Sequence, residues 1–531
     1  MAGLLVRGAT VVDGTGAGGY RADVLVEDGR IAGIGGGLSG SRVLDAGGLV
    51  LAPGFIDMHA HSDLRLLTEP EHLAKVSQGV TLEVLGQDGL SYAPVDDATL
   101  DTLREVLAGW NGDPPGFAWD WRGVGGYLDR LDRGIACNAA YLLPHGTIRM
   151  RAVGWADRPA TPSELDMMRS LVAAGLAEGA VGMSSGLTYP PGMYAPAGEL
   201  VELCAVVAGA GGYHSPHHRS YGAGALEAYA EMVDVARRSG CPLHLAHATM
   251  NFPVNAGRAG ELLSLVDAAL AEGVDVTLDT YPYLAGNTSL AALLPSWAAE
   301  GGPDATPARL SDVDARARMR ADLEEHGSDG CHGVPVDWSA IEINGVRLES
   351  NAGLVGLRVA EAARRAGRPP AELYFDVLVA ERLGTTCLMH VGDEDNVRAI
   401  MRHRVHTGGS DGLLGERPHP RAWGTFPRYL GHYVRELGVL GLEECVAHLT
   451  GRPARRLRLT DRGLVRTGYH ADLVLFDPSA VTDTATYETP CRQAAGIPYV
   501  LVNGVPVIED GRRADTLPGH SIRGVGRGPA G

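Results

Sequence analysis

The sequence has little that would make it a disulfide scaffold, a nucleic-acid binder or a membrane protein. Its seven cysteines are an odd number without a CxxC pair, which argues for reduced thiols rather than a disulfide framework. Basic residues are in deficit: 46 Lys and Arg face 64 Asp and Glu, for a formal net charge of -18. That balance disfavours nucleic acid or an anionic membrane surface as partner. No apolar run approaches the roughly 20 residues of a spanning helix. The opening MAGLLVRGATVVDG alternates like a strand and lacks the layout of a signal peptide. A cytoplasmic protein acting on small molecules is the expectation; nothing specifies an oligomeric state.

What is abundant is glycine, 73 residues, much of it where strand, turn and helix meet in an α/β fold. Apolar strand candidates alternate with amphipathic helices along the middle of the chain. Candidates lie at 49–56, 80–86, 136–146, 180–186, 211–219, 242–248, 274–283, 385–391 and 406–411. Eight or nine such units are about what a (β/α)₈ barrel requires. Both ends of the chain are instead β-rich, with a hairpin expected at Asn503-Gly504. The predicted organisation is a TIM-like barrel over 54–462, with an insertion near 296–351. Segments 1–53 and 463–531 together would form a small β-sandwich.

The most informative stretch is PGFIDMHAHSD at 53–63. His59 and His61 follow an apolar run, and residues i and i+2 of a strand share a face. Two imidazoles on one face suit a divalent metal such as zinc. Other strand ends add Asp88, His217, His247 and Asp411. Such a set has ligands for one or two zinc ions, which would bring water to a pKa near 7. Asp411 is the candidate to move a proton from the attacking water to a leaving amine. Tyr189, Ser185, Tyr281 and Tyr283 are candidate pocket residues, and Arg219 and Arg421 candidate carboxylate clamps. Ser184 and His145 lie near the same strand ends. Ser185 forms no G-x-S-x-G elbow, which disfavours a serine hydrolase.

Over nearly its whole length the chain resembles the amidohydrolase superfamily, and within it the N-acyl-D-amino-acid deacylases. The motifs that carry the resemblance are GFIDMHAHSD, VGMSSGLTYPPGMYA, LAHA, LDTYPYLAGNTSL, GGSDG and HPRAWGTFPRYL. The resemblance implies His59, His61, His217 and His247 as metal ligands and Asp411 as catalytic acid/base. Three positions depart from the family pattern. Asp88 stands where a cysteine ligand is usual, Thr249 where a lysine grips the substrate carboxylate, and Ser220-Tyr221 where Ser or Asp followed by Glu is usual. Those changes favour a zinc-dependent aminoacylase acting on Nε-acyl-L-lysine, as in an actinobacterial subgroup, with an N-acyl-D-amino-acid deacylase as the alternative. A cyclic amidase is weaker, because no strand-terminal lysine is present to form a metal bridge. A non-catalytic scaffold would be expected to lack several of the ligands retained here.

Overall fold

The computed structural model describes residues 3–524 except Glu416. Eight parallel strands form the central sheet: Phe55–Asp57, Val80–Leu85, Asn138–Pro144, Gly182–Gly186, Tyr213–His217, Leu243–Leu245, Val276–Thr280 and His406–Gly408. The first and last strands close the barrel through the Met58 amide, which donates to Gly408 O at 3.2 Å, and an Ala60–Gly412 bridge. Every residue of Val80–Leu85 and Asn138–Pro144 is buried, as strands covered on both faces must be. Helices wrap the outside with apolar faces turned inward. In Ala225–Ser239 the buried residues Tyr229, Met232, Val233 and Ala236 recur at three- and four-residue spacing, and the helix ends at left-handed Gly240.

Both chain ends build one nine-stranded sheet, with Leu473–Phe476 pairing antiparallel to Val50–Pro53. Strand Leu4–Val11 pairs with Arg42–Asp45 along its first half and with Val50–Leu51 along its second. The sheet therefore splits and folds over a core of Val6, Val24, Ile31, Leu51, Leu473 and Leu475. The expected hairpin is present: Asn503 and Gly504, both at positive φ, join Tyr499–Val502 to Val505–Glu509.

One predicted barrel strand is misplaced. Residues 385–391 do not join the barrel; Thr386–His390 is the central strand of a separate antiparallel sheet, between Ala285–Ser289 and Ile341–Gly345. This sheet has its own apolar core, including Leu290, Leu310, Ile343 and Phe375. A short apolar run reads alike in either setting, because periodicity does not reveal which strand it will pair with. All seven cysteines are unpaired, and among the described residues no helix is long and apolar enough to cross a membrane.

Candidate metal centre and its cavity

Four imidazoles and two carboxylates from different strand ends meet at one end of the barrel. His59 and His61 lie just past Phe55–Asp57, their Nε2 atoms 3.2 Å apart. His217 ends Tyr213–His217, and its Nδ1 is 3.0 Å from His247 Nε2. The Asp88 carboxylate sits between the two pairs. Its Oδ1 is 3.4 Å from both His59 Nε2 and His247 Nε2, and its Oδ2 is 3.5 Å from His61 Nε2 and His217 Nδ1. Asp411 Oδ1 lies 3.2 Å from His61 Nε2, while Oδ2 is ion-paired with Arg421 Nη2 at 2.8 Å.

Two donor sets result, His59–His61–Asp88–Asp411 and Asp88–His217–His247, and Asp88 belongs to both. Asp88 Oδ1 is buried without a hydrogen-bond partner. Ring nitrogens directed at one another, around an orphaned carboxylate oxygen, are the donor set a divalent metal satisfies. The residues present therefore fit zinc. Asp88, His247 and Asp411 all have positive φ, a strained backbone of the kind that persists at functional sites.

The surroundings fix this arrangement. Asp279 accepts from the His247 amide at 2.9 Å and lies 2.9 Å from His244 Nε2. Tyr221 OH lies 2.9 Å from His247 Nδ1, and Thr188 Oγ1 2.7 Å from His217 Nε2. Such partners fix ring orientation. The Asp411 amide donates to His59 O at 2.8 Å, tying first and last strands together at the site. Burial opposes ionisation of Asp411, yet Arg421 and then His61 hold its carboxyl well below the usual range. Burial likewise opposes protonation of His61, but its bonds to Asp411 and Asp88 push it up to about 10.

A cavity of about 730 Å³, counting its mouth, opens onto this cluster, with His61, Asp88, His217, His247 and Asp411 in its wall. Tyr189, Thr249 and Tyr281 also line it. Other sequence candidates lie elsewhere. Ser185 Oγ is 2.9 Å from His214 Nε2 inside the barrel, Ser184 accepts from the Gly89 amide, and His145 faces Glu199. Tyr283 points away from the cavity, toward Arg428 and His419, because side chains flanking Pro282 alternate sides. Arg219 is not a free clamp: it donates to Glu231 at 2.9 Å and to Met193 O at 2.9 Å. Arg421 stacks on the Tyr281 ring at 4.5 Å, and its Nε and Nη1 have no partner. Trp110, Asn287 and Thr288 line the cavity without having been singled out. Asn287 and Thr288 fall in LDTYPYLAGNTSL, whereas nothing around Trp110 signals a site.

A barrel with a histidine–aspartate cluster able to hold metal at its strand ends is the architecture of a metallohydrolase. The family model for the amidohydrolase family matches residues 42–508. The chain belongs to that family and is a metal-dependent amide hydrolase. It is 36% identical to the D-aminoacylase of Alcaligenes xylosoxydans xylosoxydans over 512 residues, 96% of this chain and 94% of that protein. It is 37% identical to the N-acyl-D-glutamate deacylase of the same organism, over 95% of this chain and 93% of the relative. The structure of N-acyl-D-glutamate deacylase from Bordetella bronchiseptica, complexed with zinc and a phosphonate inhibitor, superimposes with a TM-score of 0.84 at 33% identity, covering 98% and 99% of the two chains.

Proposed function

We propose that the protein hydrolyses Nα-acyl-D-amino acids to the free D-amino acid and a carboxylic acid. The observation that carries this reading is the position of Arg421. The side chain is fully buried against the Tyr281 ring, with Nη2 2.8 Å from Asp411 Oδ2 and two unpartnered donors, so a cation able to attract a substrate carboxylate adjoins the group that serves the amide nitrogen. An α-carboxylate is two bonds from that nitrogen in an Nα-acyl substrate. In Nε-acyl-lysine it is separated by the whole side chain, so the initial preference for Nε-acyl-L-lysine gives way. The D-configuration rests on the relatives, two of which are named for D-amino-acid substrates.

In this reading His59, His61, Asp88, His217 and His247 hold one or two zinc ions. Bound zinc supplies a Lewis acid and lowers the pKa of water toward 7. Asp411, kept ionised by Arg421 and His61, takes the proton of the attacking water on its carboxylate and passes it to the departing amine. Tyr281 orients the Arg421 guanidinium by stacking, and Tyr189 and Thr249 flank the substrate. Segment 54–462 carries the chemistry, and 1–53 with 463–531 form a supporting β unit. The test is free-amine release from matched Nα-acyl-D-, Nα-acyl-L- and Nε-acyl-L-lysine substrates with added zinc. The D-series should be fastest by at least an order of magnitude; faster release from Nε-acyl-L-lysine would overturn the proposal.

A further inference from the structure

Beside the catalytic cavity lies a second one of about 750 Å³, counting its mouth. The two share three wall residues, Trp110, Tyr189 and Ala292. Leu90, Trp155, Ala291, Leu294 and Ala299 make the second cavity predominantly apolar. Its charged lining residues, Glu105 and Arg382, lie 3.9 Å apart and are exposed at the rim. The Thr306 hydroxyl is spent on Gly302 O at 2.8 Å. Trp155 is seated directly on Gly302, where a Cβ would come within 2.6 Å of its ring.

The partition between the cavities touches the metal centre. Trp110 packs edge-on against His61 at 5.2 Å and against Tyr189 at 5.6 Å, and Tyr189 packs against His217 at 4.8 Å. Strand Ala285–Ser289 runs from one cavity into the other. Arg421 donates to Asn287 O at 3.2 Å, Thr288 lines the catalytic cavity, and Ser289 lines the apolar one. Two residues of strand span about 7 Å. A trans amide separates its flanking carbons by about 3.8 Å, so an acyl chain starts about 5 Å from the α-carboxylate carbon. With that carboxylate on the Arg421 side, the following methylenes reach the Trp110, Tyr189 and Ala292 boundary that the two cavities share.

We infer that this chamber is the acyl-chain site and that the enzyme prefers substrates with a medium-length aliphatic acyl group, octanoyl or decanoyl, over acetyl. The inference rests on the proposed function and names the substrate class within it. Each methylene taken out of water is worth about fourfold in kcat/KM. Burial of only part of the octanoyl chain therefore gives at least a tenfold advantage over acetyl.

The experiment measures kcat/KM of the zinc-loaded protein across acetyl, butanoyl, hexanoyl, octanoyl and decanoyl derivatives of one D-amino acid. The expected result is a rise to octanoyl, and a fall of at least tenfold in the octanoyl-to-acetyl ratio in Ala299→Trp, which fills the chamber. Equal or faster acetyl turnover in the wild type overturns the inference. So does a rate that follows the amino-acid side chain and ignores chain length, which would give the chamber to that side chain. Calorimetric binding of decanoate alone separates the two readings. Binding that Ala299→Trp abolishes, in a protein that hydrolyses no acyl-amino acid, retains the chamber and overturns the proposed function; absent decanoate binding overturns the chamber.

Discussion

Replacing Lys75 with methionine removes the only lysine in the sequence, since every other residue in the Lys-plus-Arg total is arginine. Lys75 is completely buried. Its Nζ donates to Asp57 Oδ2 at 2.7 Å and to Ser410 Oγ at 2.9 Å, and lies 2.7 Å from Glu83 Oε1. Three donors meet three acceptors, so a compact ammonium is satisfied where a planar guanidinium would not fit. Methionine leaves buried Asp57 and Glu83 without their shared cation, a change that costs about 3–5 kcal/mol. The pKa of Glu83 gives a similar figure. Burial raises it, but Lys75 and then His72 prevail and lower it from 4.5 to about 2, worth on the order of 3 kcal/mol. Because folding depresses this pKa, the stabilisation is complete above about pH 4.5 and is lost as pH falls toward 2. Urea unfolding of chelator-treated protein at pH 7, followed by tryptophan fluorescence, should show the 3–5 kcal/mol loss in Lys75→Met. The mutant's stability should also fall less steeply between those pH values. A loss below about 1 kcal/mol with an unchanged denaturant slope would refute the reasoning.

The same network reaches the proposed metal ligands, because Asp57 Oδ1 accepts from the Ser410 amide at 2.8 Å and the His59 amide at 3.2 Å. Lys75→Met should therefore also lower zinc content, read by elemental analysis. Asp411→Asn should retain zinc while kcat falls at least 100-fold, within the range general acid–base catalysis supplies. Asp88→Ala removes the residue common to both donor sets; zinc per chain should fall toward zero, and a stoichiometry equal to wild type would show that the histidines suffice. Arg421→Met should raise KM for Nα-acyl amino acids at least tenfold, and lower kcat as well because Asp411 loses its cation. Chelation should abolish activity and lower the thermal midpoint, and added zinc should restore both, since a ligand of the folded state stabilises it.

The sequence by itself determined the parts of this protein that depend on local pattern. Alternation and turn residues marked barrel strands such as 80–86 and the Asn503-Gly504 hairpin, and HAH after an apolar run marked the first two histidines of the cluster. Asp88, His217, His247 and Asp411 were legible because barrel sites gather at strand ends, which chain order locates. Tertiary structure decided which of two similar residues adjoins the cluster. Arg219 is spent on Glu231 while Arg421 stands beside Asp411 with two unpaired donors, and Tyr281 faces the cavity while Tyr283 faces away. It also placed 386–390 in a separate sheet and brought Trp110 and Tyr189 together as the wall between two cavities. The physical reason is that periodicity is a property of neighbours along the chain. Pairing, desolvation and enclosed volume arise between segments that are not neighbours along the chain, and exist only once those segments have packed.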